Sequence, residues 1–184
     1  MGVRMKKSRK ISGMILALAL AFHFSLAVFA ADPYNNYGSQ SGNISVQSYS
    51  SSYNSTWVGY LDNGRAAWNN STANVTISTS SSSSNTIQAA QYADSWYGLC
   101  TQTYNTSTGY TTQFTIQINA RTIAADATNN ANFAKSTIAH EFGHVFWLCD
   151  NPSTTSSSLM KYTRDRNTLT TPQTFDINNV NAKY

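Results

Sequence analysis

The apolar positions of this chain follow two periods. Between Gln113 and Ala120, Phe114, Ile116 and Ile118 alternate with Thr115, Gln117 and Asn119, which predicts a half-buried strand. Val75 and Ile77 alternate with Thr76 and Ser78 in the same way over Asn74–Thr79. Shorter stretches at Asn43–Ser50, Thr86–Tyr92 and Ser95–Thr103 are further candidate strands. Trp57, Leu61 and Trp68 recur at helical spacing, with Ala66 and Ala67 beside them, so Ser55–Asn69 reads as a helix whose aromatics are core. Gly64 weakens that helix by its backbone freedom. The polar run Asp126–Asn132 offers N-caps for a second helix from near Asn132 to about Phe146. Ile177, Val180 and Tyr184 predict a short closing helix after Pro172. Ser78–Asn85 is low-complexity and Asn151–Ser158 is rich in Ser and Thr, so both read as loops. No fixed-period repeat is visible.

The chain ends alter this picture. Arg4, Lys6, Lys7, Arg9 and Lys10 precede an apolar run, Ile11–Phe29, that closes on small residues before Ala30. This is the layout of a secretory signal peptide, residues 1–30 with cleavage after Ala30, and it implies a secreted, extracellular protein. The alternative is an uncleaved anchor, against which His23, Ser25 and the small-residue ending argue. Residues 31–50 then form a flexible N-terminus and first strand, and residues 51–184 the main domain.

Five of the twelve basic residues lie in the leader and no acidic residue does, leaving seven basic against eight acidic. The high isoelectric point therefore belongs to the leader and gives no support to nucleic-acid binding. No other run is long enough to span a bilayer. Two cysteines, Cys100 and Cys149, in an exported chain suggest a disulfide, the alternative being two unpaired thiols.

The candidate chemistry lies on the second helix. His140-Glu141-Phe142-Gly143-His144 has the form H-E-x-x-H. Positions four apart share one helix face, so two imidazoles can bind one zinc ion. Glu141, about 100° further round, can reach a water on that ion as a general base. An ordinary solvated helix matching by chance is the plain alternative. Composition speaks against it: Glu141 is the single glutamate of the chain, and His140 and His144 are the histidines that remain after the leader.

A catalytic zinc usually takes a third protein ligand. Asp150, Asp165 and Asp176 are the downstream carboxylates. If the helix continued past His144, Asp150 would lie about 9 Å beyond it along the axis, so ligation by Asp150 requires the chain to turn back. Cys149 as a thiolate is a chemical alternative.

At these residues the chain resembles the metzincin zinc peptidases. His140–Asp150 is similar to H-E-x-x-H-x-x-G-x-x-H, with Asp150 in the third-ligand place as in the snapalysin-type variant. Ser158-Leu159-Met160-Lys161-Tyr162 resembles the Met-turn of these enzymes, and Asp176–Val180 resembles the closing helix of the matrixin branch. The resemblance covers roughly Ser55–Tyr184. It implies a small α+β zincin-like domain: a twisted, mostly parallel sheet of five strands with one antiparallel edge strand. An N-terminal helix, the active-site helix and a short C-terminal helix would pack on it. Ser95–Thr103 is the candidate edge strand for an extended peptide, and Cys100 on it could reach Cys149 beside the site.

The implied activity is that of a zinc-dependent endopeptidase acting on peptide or protein substrates; a monomer is expected. His140, His144 and Asp150 would be ligands, Glu141 the base, and Tyr162 a second catalytic group. Tyr162 is equally readable as a packed surface tyrosine. The competing readings are a secreted, non-catalytic zinc-containing module that grips peptides, and an inert Ser/Thr-rich surface protein. Calcium has no dense carboxylate loop to support it. One departure stands out: Trp147 replaces the turn glycine, so either it bears a left-handed backbone at roughly 1–2 kcal/mol or the turn has another shape.

Overall fold

A computed structural model describes residues 32–50 and 52–184. The leader read in residues 1–30 lies outside the described residues. The elements run β1 (Asn43–Gln47), α1 (Ser55–Asn69), β2 (Thr76–Ser80), β3 (Thr86–Ala90), β4 (Gly98–Tyr104), β5 (Thr111–Asn119), α2 (Ala120–Asp126), α3 (Asn130–Val145) and α4 (Thr174–Asn181). The protein is a small α+β fold with four helices and two sheets of mixed strands.

The strands divide differently from expectation. β1 pairs with β2 in parallel, while β5 lies between β3, parallel to it, and β4, antiparallel to it. The five expected strands therefore form a two-stranded and a three-stranded sheet. One backbone hydrogen bond, from Gln47 N–H to the Asn85 carbonyl at 2.7 Å, joins them at the end of β1. The ladder breaks there because Asn85 spends its side chain on the Phe114 N–H and the Ser45 carbonyl.

The alternating residues Phe114, Ile116 and Ile118 all turn inward and meet the core side of α3. Each such buried side chain contributes about 1.5–3 kcal/mol by leaving water. α1 packs closely on α3 through Gly64, where a Cβ would come within 2.2 Å of Ile138 Cγ2. The glycine that weakens α1 as a helix thus permits its packing. The Trp68 indole N–H donates to the Ala139 carbonyl at 2.7 Å, fixing α1 along α3. Asn54 caps α1 and Asn129 caps α3, each accepting a backbone N–H through its side chain.

Residues 33–38, expected to be a flexible terminus, are docked. Asn35 N–H donates to the Trp147 carbonyl at 2.6 Å and Cys149 N–H to the Pro33 carbonyl at 2.8 Å. Gly38 lies flat against the Trp147 indole, where a Cβ would be 2.5 Å from Cγ. Backbone pairing of this kind leaves no pattern in side-chain polarity, which is why the sequence reads as loose.

The expected Cys100–Cys149 bridge is not formed; both thiols are free. Cys149 Sγ donates to the Asp32 carbonyl at 3.0 Å, toward the docked terminus. Cys100 sits on β4 under Glu141, whose charge joins burial in pushing that thiol well up. No helix among the described residues is long and apolar enough to cross a membrane.

Candidate metal centre and cleft

α3 carries His140, Glu141 and His144 on its buried side, with the two imidazole centroids 4.9 Å apart. The helix then stops abruptly. Leu148 N–H reaches back to the Gly143 carbonyl at 3.0 Å and Trp147 N–H to the His144 carbonyl at 3.2 Å. That pair of bonds is a Schellman ending, and it requires a left-handed residue at Trp147, whose φ is +73°. Trp147 therefore carries the glycine conformation despite its side chain, at roughly 1–2 kcal/mol. Its contacts hold it there: the indole N–H donates to the Ser39 carbonyl at 2.8 Å, and the Lys183 ammonium lies 4.8 Å from the ring.

The reversal returns Asp150 to the histidines. Asp150 Oδ1 is 3.0 Å from His140 Nε2 and 3.5 Å from His144 Nε2. One ligand atom from each of the three residues lies within 4.8 Å of the others. The opposite ring nitrogens are already engaged. His140 Nδ1 lies 3.0 Å from the Leu159 carbonyl and His144 Nδ1 2.9 Å from the Leu148 carbonyl. A carbonyl only accepts, so each Nδ1 carries the hydrogen and, in the neutral ring, each Nε2 presents a lone pair. Burial lowers the His140 imidazole to about 4, and Asp150, although burial opposes it, is drawn down to about 2 by its histidine neighbours. Three electron-pair donors thus face one point. Such a set repels itself unless a cation lies between, and two imidazoles with one carboxylate suit zinc.

The support beneath His140 was not apparent from motif reading. Asp176, fully buried, accepts from Ser158 Oγ at 2.6 Å, from Leu159 N–H at 2.7 Å and from Gln173 N–H at 2.8 Å. It caps α4 and at the same time fixes the Ser158–Met160 turn that offers its Leu159 carbonyl to His140. Burial raises this carboxyl, against the hydrogen bonds and Arg164, which pull the other way. The signal available in the sequence was the spacing of Gln173 and Asp176, which is that of a capping box. Asp165, the other candidate carboxylate, accepts from Asn167 and Thr168 in its own exposed turn and is no part of the cluster. Met160 lies directly under α3, where a Cβ at Gly143 would come within 2.5 Å of its Sδ.

Glu141 opens into a cavity of about 420 Å³ that also holds His140, His144, Asp150 and Tyr162. It is only 5% exposed, and burial raises its carboxyl to about 7, with His144, Arg164 and the Cys100 N–H pulling down and Asp150 pushing up. Gly98 of β4 makes room for it: a Cβ there would lie 2.5 Å from Glu141 Oε1. Tyr162 stands at the rim, 57% exposed, its hydroxyl raised by burial and by Asp150. β4 lines the cavity with Gly98 to Cys100 and Gln102, and it is one of the two edge strands of its sheet. Gln102 Nε2 donates to the His144 carbonyl at 3.1 Å, tying that strand to the end of α3. Arg164 and Arg166 also line the cavity, and neither was singled out in the sequence.

No protein-family profile matches the chain, and no curated protein matches it. Among solved structures, it is similar to a chain of the GM1-bound form of the ECX AB5 holotoxin. The TM-score is 0.57 at 14% identity, over 84% of this chain and 87% of that one. The likeness is one of fold.

Proposed function

We propose that the protein is a secreted zinc endopeptidase of the metzincin type. The observation that carries this reading is the convergence of His140 Nε2, His144 Nε2 and Asp150 Oδ1 on one point with Glu141 beside them in an open cleft. His140, His144 and Asp150 would hold the ion. When bound, zinc would supply a Lewis acid for the scissile carbonyl and lower the pKa of a water to about 7.

The chain's own groups supply the rest. Glu141 accepts a proton from the attacking water and delivers it to the leaving amine. The Leu159 and Leu148 carbonyls keep both imidazoles in the tautomer with Nε2 free. Tyr162, at the rim, donates its hydroxyl proton to the oxygen that gains charge. β4 lends its free edge to an extended peptide, which aligns the bond to be cut along the cleft.

Three further features support the metzincin reading. Met160 lies against Gly143 beneath the cluster, in keeping with a Met-turn. Trp147 adopts the left-handed backbone that the long motif asks of its turn residue. The single Gln47–Asn85 bond, at the end of β1 and just before β3, supports reading the two sheets as parts of one zincin sheet. A non-catalytic zinc module would have no use for a buried carboxylate that faces the cleft beside the ligands.

The test is Glu141→Gln in the secreted chain. It should retain one zinc per molecule by elemental analysis and lose hydrolysis of an unfolded protein substrate. Retained hydrolysis would remove Glu141 as the base, and absence of zinc from active wild-type protein would remove the metal reading.

A further inference from the structure

The cleft holds two arginines that form no ion pair with any described residue, although Glu141 and Asp150 line the same cavity. Among the described residues the pairs within 4.0 Å are Arg65 with Asp62, and Asp150 with each histidine; neither Arg164 nor Arg166 takes part in one. Arg164 is buried, held by Nε to Ser136 Oγ at 3.2 Å and by Nη1 to the Lys161 carbonyl at 2.9 Å. Its Nη2 has no partner among the described residues.

Arg166 makes no hydrogen bond to any described residue. Its guanidinium lies 4.9 Å over the Tyr97 ring and 5.8 Å from that of Phe133. Its Nε is the one buried side-chain nitrogen or oxygen among the described residues that lacks a partner. Arg65 and Arg121 behave differently: the first reaches Asp62, Tyr49 and a carbonyl, and the second reaches three carbonyls.

An unsatisfied guanidinium beside another in a half-buried wall is costly, both through lost hydration and through mutual repulsion. Burial with the Arg166 charge brings Arg164 down to about 9, and burial lowers Arg166. The aromatic rings hold the Arg166 plane in place, which leaves its donors pre-organised for a planar acceptor. A carboxylate matches that fork and removes the repulsion, whereas a Lys or Arg side chain in the same place adds a third like charge.

Resting on the hydrolase reading above, we infer that the preferred peptide carries aspartate or glutamate next to the scissile bond, its carboxylate received by Arg164 and Arg166. The two arginines are specificity determinants for the residue flanking the bond. Tyr97 and Phe133 position one of them.

The experiment compares peptides that differ only by Glu or Gln at one of the two residues flanking the cleaved bond. With the zinc-loaded mature chain, kcat/KM should favour Glu by roughly 10- to 100-fold at one of those positions, as expected for charge-assisted bonds. Arg166→Gln should bring that ratio to near one, and Arg166→Glu should turn the preference to Lys. A ratio near one in the wild type, or one unchanged by Arg166→Gln, overturns the inference. A second readout needs no turnover: fluorescence anisotropy of the same labelled peptides on Glu141→Gln protein. Tighter binding of the Glu peptide, with a gap that narrows as salt rises, supports anion recognition. Binding preference without any cleavage by the wild type would keep carboxylate recognition by the two arginines and sink the hydrolase reading. Cleavage without preference would do the reverse.

Discussion

On the proposed reading, Gly98→Ala should separate holding a metal from using it. The added methyl would lie 2.5 Å from Glu141 Oε1, 2.8 Å from its Cγ and 2.8 Å from Thr137 Cγ2. Ordinary contact begins near 3.4 Å, so the carboxylate must retreat by about 0.9 Å. Gly98 is a strand residue paired with Ile118, so alanine suits its backbone and gains strand propensity. The strain therefore falls on the side chains facing it. A catalytic group misplaced by about 1 Å costs on the order of 100-fold in rate. His140, His144 and Asp150 are not among the nearest atoms and should keep their places. The assay pairs kcat/KM on a quenched fluorescent peptide with zinc content by atomic absorption. The expected result is a loss of about 100-fold with one zinc per chain retained and a melting temperature within a few degrees of wild type. Full activity would refute the assignment of Glu141 as base, and parallel loss of zinc would refute the separation of the two roles.

Three other perturbations test the surrounding structure. Asp176→Asn removes an acceptor and sets an amide donor against backbone N–H groups in a fully buried site; it should cost about 3–5 kcal/mol in chemical denaturation and weaken zinc affinity about 10- to 100-fold. Trp147→Gly relieves roughly 1–2 kcal/mol of backbone strain but loses a large packed side chain worth about 3–5 kcal/mol, so a net loss of stability with faster proteolysis within residues 33–38 is expected. Tyr49 is pushed up to about 12, chiefly by burial, and Tyr184 is raised for the same reason. A raised acid is neutral in the fold and more readily ionised once unfolded, so its contribution is complete below pH 10 and falls as pH rises from 10 toward 12. Thermal melts should show that alkaline loss, and Tyr49→Phe should make it shallower.

Much of the fold was legible because periodicity and caps agree. Ser55–Asn69 appears as a helix with the bounds read from Trp57, Leu61 and Trp68, and β5 as a strand from its three alternating apolar residues. α2 was not anticipated: seven residues with Thr122 and Ile123 buried are too few to show a period. The sheet was expected whole and is divided, because the junction depends on how Asn85 uses its side chain, which no pattern records. At the site, the two histidines and Glu141 stood out by their isolation in composition. Asp150 was legible only through the need for a reversed chain, and the left-handed Trp147 supplies that reversal. Asp176, Arg164 and Arg166 act through distant partners, so their roles emerge from packing alone.

The docking of the first residues against the Trp147 turn orders the assembly of the centre in time. The bonds from Asn35 to Leu148 and from Cys149 to Asp32 join positions 113 and 117 residues apart. Closures of that span come late in folding, whereas His140 and His144 meet as soon as one helical turn forms. On the proposed metal reading, a folding chain would therefore meet an ion with a two-pronged grip first. The third prong would lock only once residues 32–35 have met the turn at residues 147–149, so capture would begin as a local event and end as a global one.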